Sequence, residues 1–198
     1  MQNYPNIGKL ILASASPRRR ELLASLGLDF TVQVPQIDET PHPDEAPRRF
    51  AERMAAEKAS AIDASPDTVL IAADTIVVQG NSILGKPKNE QHACAMLSHL
   101  SGQKHEVITG VCVKRNDRTE IFSVSTEVVF RELGAGEIDR YVATGCPMDK
   151  AGAYAIQGGA AHMVRSICGS YTNIVGLPLC ELHEALISFD SGPEIAYS

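Results

Sequence analysis

Lys9-Leu-Ile-Leu-Ala-Ser-Ala-Ser-Pro-Arg-Arg-Arg-Glu-Leu-Leu23 has the pattern of a strand, a tight turn and a helix start, and the rest of the chain is placed around it. Leu10 to Ala13 is a short apolar run of the kind that forms a buried strand. A compact turn of small residues follows. Ser16 before Pro17 then marks a helix start, with serine at the N-cap and proline at the first helical position. Arg18, Arg19 and Arg20 fall in or near the first turn, where the helix already carries partial positive charge. Cations there cost some tenths of a kcal/mol each, roughly, unless an anion fills the gap. Phosphate fits, because helix N-termini bind it and guanidinium forks match it. A solvated turn paired with Glu21 or a remote acid is the competing account. Three arginines behind Ser-x-Ser-Pro favour the anion site. The stretch is not a Walker loop, since it lacks Gly-x-x-x-x-Gly-Lys spacing.

Outward from this unit, the 198 residues suit one domain or two lobes sharing a core. A net charge of −6 disfavours general nucleic-acid binding and confines any basic function to a pocket. No apolar run is long enough to span a bilayer, and no signal-peptide pattern opens the chain. The five cysteines are scattered without Cys-x-x-Cys, which points to reduced thiols in a cytoplasm. His-Glu-x-x-His is absent, which disfavours a zinc site.

The first helix is expected over about Pro17–Leu26, stopped by Gly27, and a second strand over Asp29–Val34. A polar turn region with Asp38 and Glu39 leads to a helix over about Glu45–Ile62. Lys58 falls inside that helix's apolar stripe. It either snorkels at the stripe's edge or points an ammonium into a cleft, and spacing alone leaves both readings open. Thr68–Gln79 is an apolar strand interrupted by Asp74 and Thr75. A carboxylate in mid-run is costly unless paired, hydrogen-bonded or bound to metal. Asp74 is therefore a candidate for metal binding or water activation, against a structural acid at a strand end.

Gly80-Asn81 signals a hairpin, and Lys86 and Lys88 sit on the loop beyond it. A helix over about Glu90–Leu100 precedes strands at His105–Arg115 and Glu120–Leu133, then a short helix at Gly134–Val142. The stretch from Thr144 to Gly159 is turn-rich and polar, and it suits a ligand better than a core. Asp149 and Lys150 either serve that ligand or pair with each other. Gln157 either reads a base edge, since an amide both donates and accepts, or is a turn amide. A last helix spans about Pro178–Ser188, and the tail after Asp190 is expected to be loose. Early strand–helix alternation followed by a long hairpin predicts an α/β fold. Its mixed twisted sheet would be flanked by helices in an elongated two-lobed body with a central cleft.

Ser14-Ala-Ser-Pro-Arg-Arg, Ala73-Asp-Thr75, Gly85-Lys-Pro87, Leu100-Ser-Gly, Asp149-Lys-Ala-Gly-Ala-Tyr154 and Gly176-Leu-Pro stand in the order of the Maf nucleoside triphosphate pyrophosphatases, which the chain resembles from about Leu10 to Leu186. The resemblance implies an inosine triphosphatase-like fold. It also implies hydrolysis between the α and β phosphates of a nucleotide with Mg²⁺ or Mn²⁺. Asp74 is then the catalytic acid/base, Arg18, Thr75 and Gln157 are specificity positions, and Ser14, Ser16, Arg19, Glu39, Lys58, Lys86 and Asp149 line the cleft. Glu39 and Asp74 are the expected metal ligands. Ala151 to Gly158 is similar to the branch that prefers dTTP and UTP; a second branch, preferring 7-methyl-GTP, usually has an acid where Gln157 stands. A nucleotide-binding regulator of septum formation is the reading from another class. It leaves Asp74 and Glu39 unexplained, since acids repel a triphosphate unless metal intervenes. Relatives of this kind often form dimers, so a homodimer is expected.

Overall fold

The computed structural model describes residues 7–190. The tail expected to be loose begins at Ser191, outside the described residues. Strands β1 (Lys9–Ala13), β2 (Thr31–Gln33), β3 (Thr68–Gln79), β4 (Ser82–Leu84), β5 (Lys104–Arg115), β6 (Arg118–Phe130) and β7 (Val164–Cys168) form one sheet in the order β2-β1-β3-β5-β6-β7, with β4 also paired to β3. Helices are α1 (Pro17–Ala24), α2 (Pro47–Ser60), α3 (Glu90–Leu100), α4 (Ala135–Ala143), α5 (Tyr171–Val175) and α6 (Leu179–Asp190). β1 runs parallel to both β2 and β3, and the crossovers this demands are supplied by α1 and α2. From β3 onward the pairing is antiparallel. The α/β fold with a mixed sheet and flanking helices is therefore present.

β3 is where the parallel and antiparallel parts meet, and one of its edges is interrupted. β1 covers that edge from Thr68 to Ala72. β4 covers it again from Val77 to Gln79. The stretch Ala73-Asp74-Thr75-Ile76 lies between the two, with no strand beside it on that edge. β1 ends at Ala13, so the Ser14–Ser16 turn and the start of α1 stand at this opening. In parallel sheets ligands bind beyond the carboxyl ends of the strands, where loops and helix starts converge.

The pleat of β3 sends alternate residues to opposite faces. Ala72, Ile76 and Val78 pack towards α2 with Cys112 and Ile108 of β5. α2 lies close to the sheet because Ala51, Ala55 and Ala59 are fully buried at four-residue steps. The contact also needs glycine at position 110, because a Cβ there would lie 2.2 Å from the Ala51 carbonyl oxygen. On the other face, Val69, Ile71 and Ala73 join α6 and Leu23 of α1, while Val77 and Val107 join α3, α4 and Tyr154. Between these two apolar groups runs a polar band containing Thr75, Thr109, Thr126 and Asn173.

Most element boundaries agree with the sequence reading within a few residues. α1 is shorter than expected, ending at Ala24 with Ser25 as its cap, and Gly27 takes φ +73° in the turn beyond. β6 stops at Phe130, before Leu133. β7 and α5 went unread. β7 is a largely exposed edge strand carrying Arg165 and Ser166, so it has no apolar run to signal it. α5 has five residues, too few to show helical periodicity.

Candidate functional site

Ser16 caps α1 as its sequence position requires, its Oγ accepting from the Arg19 N–H at 3.4 Å. Ser14, almost fully buried, accepts at Oγ from the Ser16 N–H (3.2 Å) and from Arg19 Nη1 (3.3 Å). Both serines thus act as acceptors within the protein. No acceptor among the described residues takes their hydroxyl protons, which leaves two donors at a helix N-terminus, the arrangement an anion needs.

The neighbouring arginines differ in their partners. Arg19 is anchored into the protein: Nε donates to the Gly176 carbonyl (2.8 Å), Nη1 to the Ala73 carbonyl (2.7 Å) and Nη2 to Thr75 Oγ1 (2.9 Å). It satisfies the exposed β3 edge at Ala73 and ties α1 to the loop before α6. Burial holds its pKa below the ordinary value, against the attraction of Asp74. Arg18 makes no hydrogen bond or ion pair with any described residue. It lies near enough to Tyr141 and Asp149 to act on both electrostatically. A sequence reading treats the two as alike; the fold makes one a clamp and leaves the other unengaged.

The carboxylates lie on the α2 face. Lys58 turns its ammonium inward from the apolar stripe and bridges Asp74 Oδ1 at 2.5 Å and Glu39 Oε1 at 2.7 Å. Lys58 therefore does not snorkel to solvent; its ammonium is held between the two carboxylates. Asp74 is 13% exposed and Glu39 51%. Burial pushes the Glu39 carboxyl up, but the hydrogen bond and charge of Lys58, with the charges of Lys86 and Arg19, outweigh it and leave the pKa below its usual value. Asp74 Oδ2 and Glu39 Oε2 make no hydrogen bond to a described residue. Among the described residues no group of three or more His, Cys, Asp or Glu side chains could hold a metal ion. Two carboxylates with unspent oxygens do fit a hard divalent cation that also takes phosphate oxygens and water.

Lys86 is exposed on the loop after β4 without a partner among the described residues, yet near enough to Glu39 to act on it. Its loop is tied to the 150s, where the Gly152 N–H donates to the Gly85 carbonyl at 3.1 Å. Asp149 is exposed and pairs with Lys150. Its carboxyl is held below the usual range chiefly by the Lys150 hydrogen bond. Gln157 is exposed beside a cavity of about 560 Å³ lined in part by Tyr141, Gly158, Gly159 and His162. No hydrogen bond joins Gln157 to the acids or to α1.

The structure thus brings Ser14, Ser16, Arg19 and Thr75 together on one side of the opening, and Asp74, Glu39 and Lys58 on the other. Thr109, Asn173 and Tyr141 escaped the sequence reading. Thr109 and Asn173 are both fully buried and polar. The available signal was a threonine followed by glycine in the middle of an apolar strand, Ile108-Thr109-Gly110, much as Asp74-Thr75 interrupts β3.

The chain is 57% identical over 182 residues to a dTTP/UTP pyrophosphatase of Geobacter sulfurreducens, covering 90% of this chain and 95% of that protein. It is 55% identical over 185 residues to the protein of the same name from Geobacter metallireducens, covering 92% and 96%. Among solved structures, the Ham1 protein of Staphylococcus aureus matches at 14% identity and TM-score 0.53, covering 91% of this chain and 98% of that one. A HAM1 protein from Coxiella burnetii matches at 17% identity and TM-score 0.50, covering 91% and 99%. The two structures support the fold alone. The Maf-like protein family model matches residues 9–189, and with relatives at 57% and 55% identity over about nine-tenths of its length the chain belongs to the Maf family.

Proposed function

We propose that this chain hydrolyses dTTP and UTP to the nucleoside monophosphate and pyrophosphate at the opening in the β3 edge. The observation that carries this reading is the position of Asp74 in that opening. It is held by Lys58 beside Glu39, and the start of α1, with two unspent serine protons, stands at the same opening. The Ser14 and Ser16 hydroxyls and the first-turn N–H groups of α1 would take phosphate oxygens. Arg18 and Lys86, without protein partners among the described residues, would meet the charge that grows on the leaving pyrophosphate. Glu39 Oε2 and Asp74 Oδ2 would hold Mg²⁺ or Mn²⁺ with the triphosphate, and the bound cation would screen phosphate charge and acidify water.

Lys58 fixes the Asp74 carboxylate through Oδ1, and the second lone pair of Oδ2 would orient a water for attack on the α phosphorus. Gln157 offers both an N–H and a C=O to a pyrimidine edge, which supports dTTP and UTP over a guanine nucleotide. Among the described residues no helix is long and apolar enough to cross a membrane. The scattered free cysteines support work in the cytoplasm. We take the working unit to be one domain with two lobes around the cleft, assembled as a homodimer.

Pyrophosphate release from dTTP, UTP, CTP, 7-methyl-GTP and ITP, with and without Mg²⁺ or Mn²⁺, tests the proposal. dTTP and UTP should lead and the metal should be required. Faster turnover of 7-methyl-GTP would overturn the substrate assignment.

A further inference from the structure

The polar band beneath the opening forms a directed chain of hydrogen bonds. Thr109 Oγ1 stands 3.0 Å from the Asn173 carbonyl, and Thr109 is fully buried. Two buried acceptor oxygens at that distance repel unless a proton lies between them, so the single Thr109 proton points at Asn173. Thr75 Oγ1 is 3.0 Å from Thr109 Oγ1. The only proton left for that contact is the one on Thr75. Thr75 therefore donates to Thr109, while its oxygen accepts from Arg19 Nη2 at 2.9 Å.

A hydroxyl oxygen has one proton and two lone pairs. The proton of Thr75 is committed to Thr109 and one lone pair to Arg19. Only a lone pair remains for a ligand, and Thr75 is partly exposed at the opening. Phosphate oxygens are acceptors and gain nothing from it. We infer that Thr109 is a positioning residue that fixes Thr75 as a pure acceptor, so that Thr75 reads an N–H or O–H donor on the nucleoside half of the substrate. This rests on the nucleotide reading given above.

The chain is also anchored at its far end. Asn173 Nδ2 donates to the Val107 carbonyl and to Thr126 Oγ1, both at 2.9 Å. The Asn173 carbonyl accepts from the Gly176 N–H at 3.0 Å as well as from Thr109, so it keeps a donor if Thr109 loses its hydroxyl. Thr109→Val preserves the shape of the side chain and removes the acceptor for the Thr75 proton. That proton would then turn outward, converting Thr75 from an acceptor into a donor.

The test is calorimetric binding of two probes to wild type, Thr109→Val and Thr109→Ser. dTMP carries the nucleoside; inorganic triphosphate carries only phosphate. Thr109→Val should weaken dTMP binding about five- to tenfold, the scale of one hydrogen bond. It should leave inorganic triphosphate within about twofold, and Thr109→Ser should restore dTMP binding. Equal weakening of both probes, no weakening of either, or a serine variant no better than valine would overturn the inference. Repeating the dTMP arm with N3-methyl-dTMP separates a base N–H from a sugar O–H, because only a base donor makes the valine penalty vanish with the methylated probe. Binding is read without turnover. A wild type that binds dTMP but releases no pyrophosphate from dTTP defeats the proposed activity and leaves this result to stand or fall separately.

Discussion

Asp74 and Thr75 are adjacent residues of one strand, yet they face chemically different surroundings. On the α2 face, Asp74 belongs to a charged cluster in which one ammonium is shared by two carboxylates. On the opposite face, Thr75 belongs to a chain of hydroxyls and amides, and Arg19 closes it at the rim. The pleat alone creates this division. Charge that must neutralise and activate is gathered on one side; groups whose value lies in proton direction are gathered on the other. The edge left uncovered between β1 and β4 is where the proposed nucleotide would reach both.

The largest expected effect belongs to the charged face. Asp74→Asn should lower the turnover number for dTTP by about 10²- to 10⁴-fold, the usual weight of a positioned acid or base. Lys58 keeps Glu39 as a partner in that variant, so the cooperative melting transition should survive. Near-normal turnover would remove Asp74 from the chemistry and erase the contrast between the faces.

Lys58→Met should come next. It leaves the Asp74 and Glu39 carboxylates together without their cation, at a cost of about 3 kcal/mol by denaturant unfolding, the low end for a broken buried pair because Glu39 is half exposed. Unchanged stability would mean that the cluster is solvated and that burial does not sharpen it.

On the hydroxyl face, Arg19→Lys keeps the charge but cannot reproduce the fork to Gly176, Ala73 and Thr75. A loss of about 1–2 kcal/mol is expected, with KM for dTTP rising more than the turnover number falls. A pure turnover defect would place Arg19 on the wrong side of the comparison.

The smallest effect is a pH dependence. Glu39 and Glu45 have carboxyl pKa values lowered in the fold. For Glu45 the cause is chiefly its hydrogen bond from Arg53, and the value falls to about 2. A depressed carboxyl contributes stability that is present above the ordinary carboxylate range and lost as pH falls through the folded value. Acid unfolding between about pH 4.5 and pH 2 should therefore flatten in Glu45→Gln, by under about 1 kcal/mol because the pair sits near the surface. An unaltered acid profile would show that Arg53 does not tie the Glu39-bearing loop to α2 through Glu45.

Much of this was legible in the chain. The strand-turn-helix unit at Lys9–Leu23, the apolar runs of β3 and β5 and the interruption at Asp74 are local patterns, and local patterns follow from period and capping. Exposed or short elements such as β7 and α5 were not legible, because they carry too little apolar periodicity to separate from loop.

The residues and their local spacing set which chemistry is on hand: serines and arginines at a helix start, an acid buried in a strand, lysines on nearby loops. Their roles come from the packing of distant segments. It spent Arg19 on protein carbonyls and left Arg18 unengaged. It turned Lys58 inward between two acids, and it set the direction of the Thr75 proton through Thr109 and Asn173. The physical reason is that a side chain's charge is a property of the residue, whereas its unspent donors and acceptors depend on which distant groups have already claimed the rest.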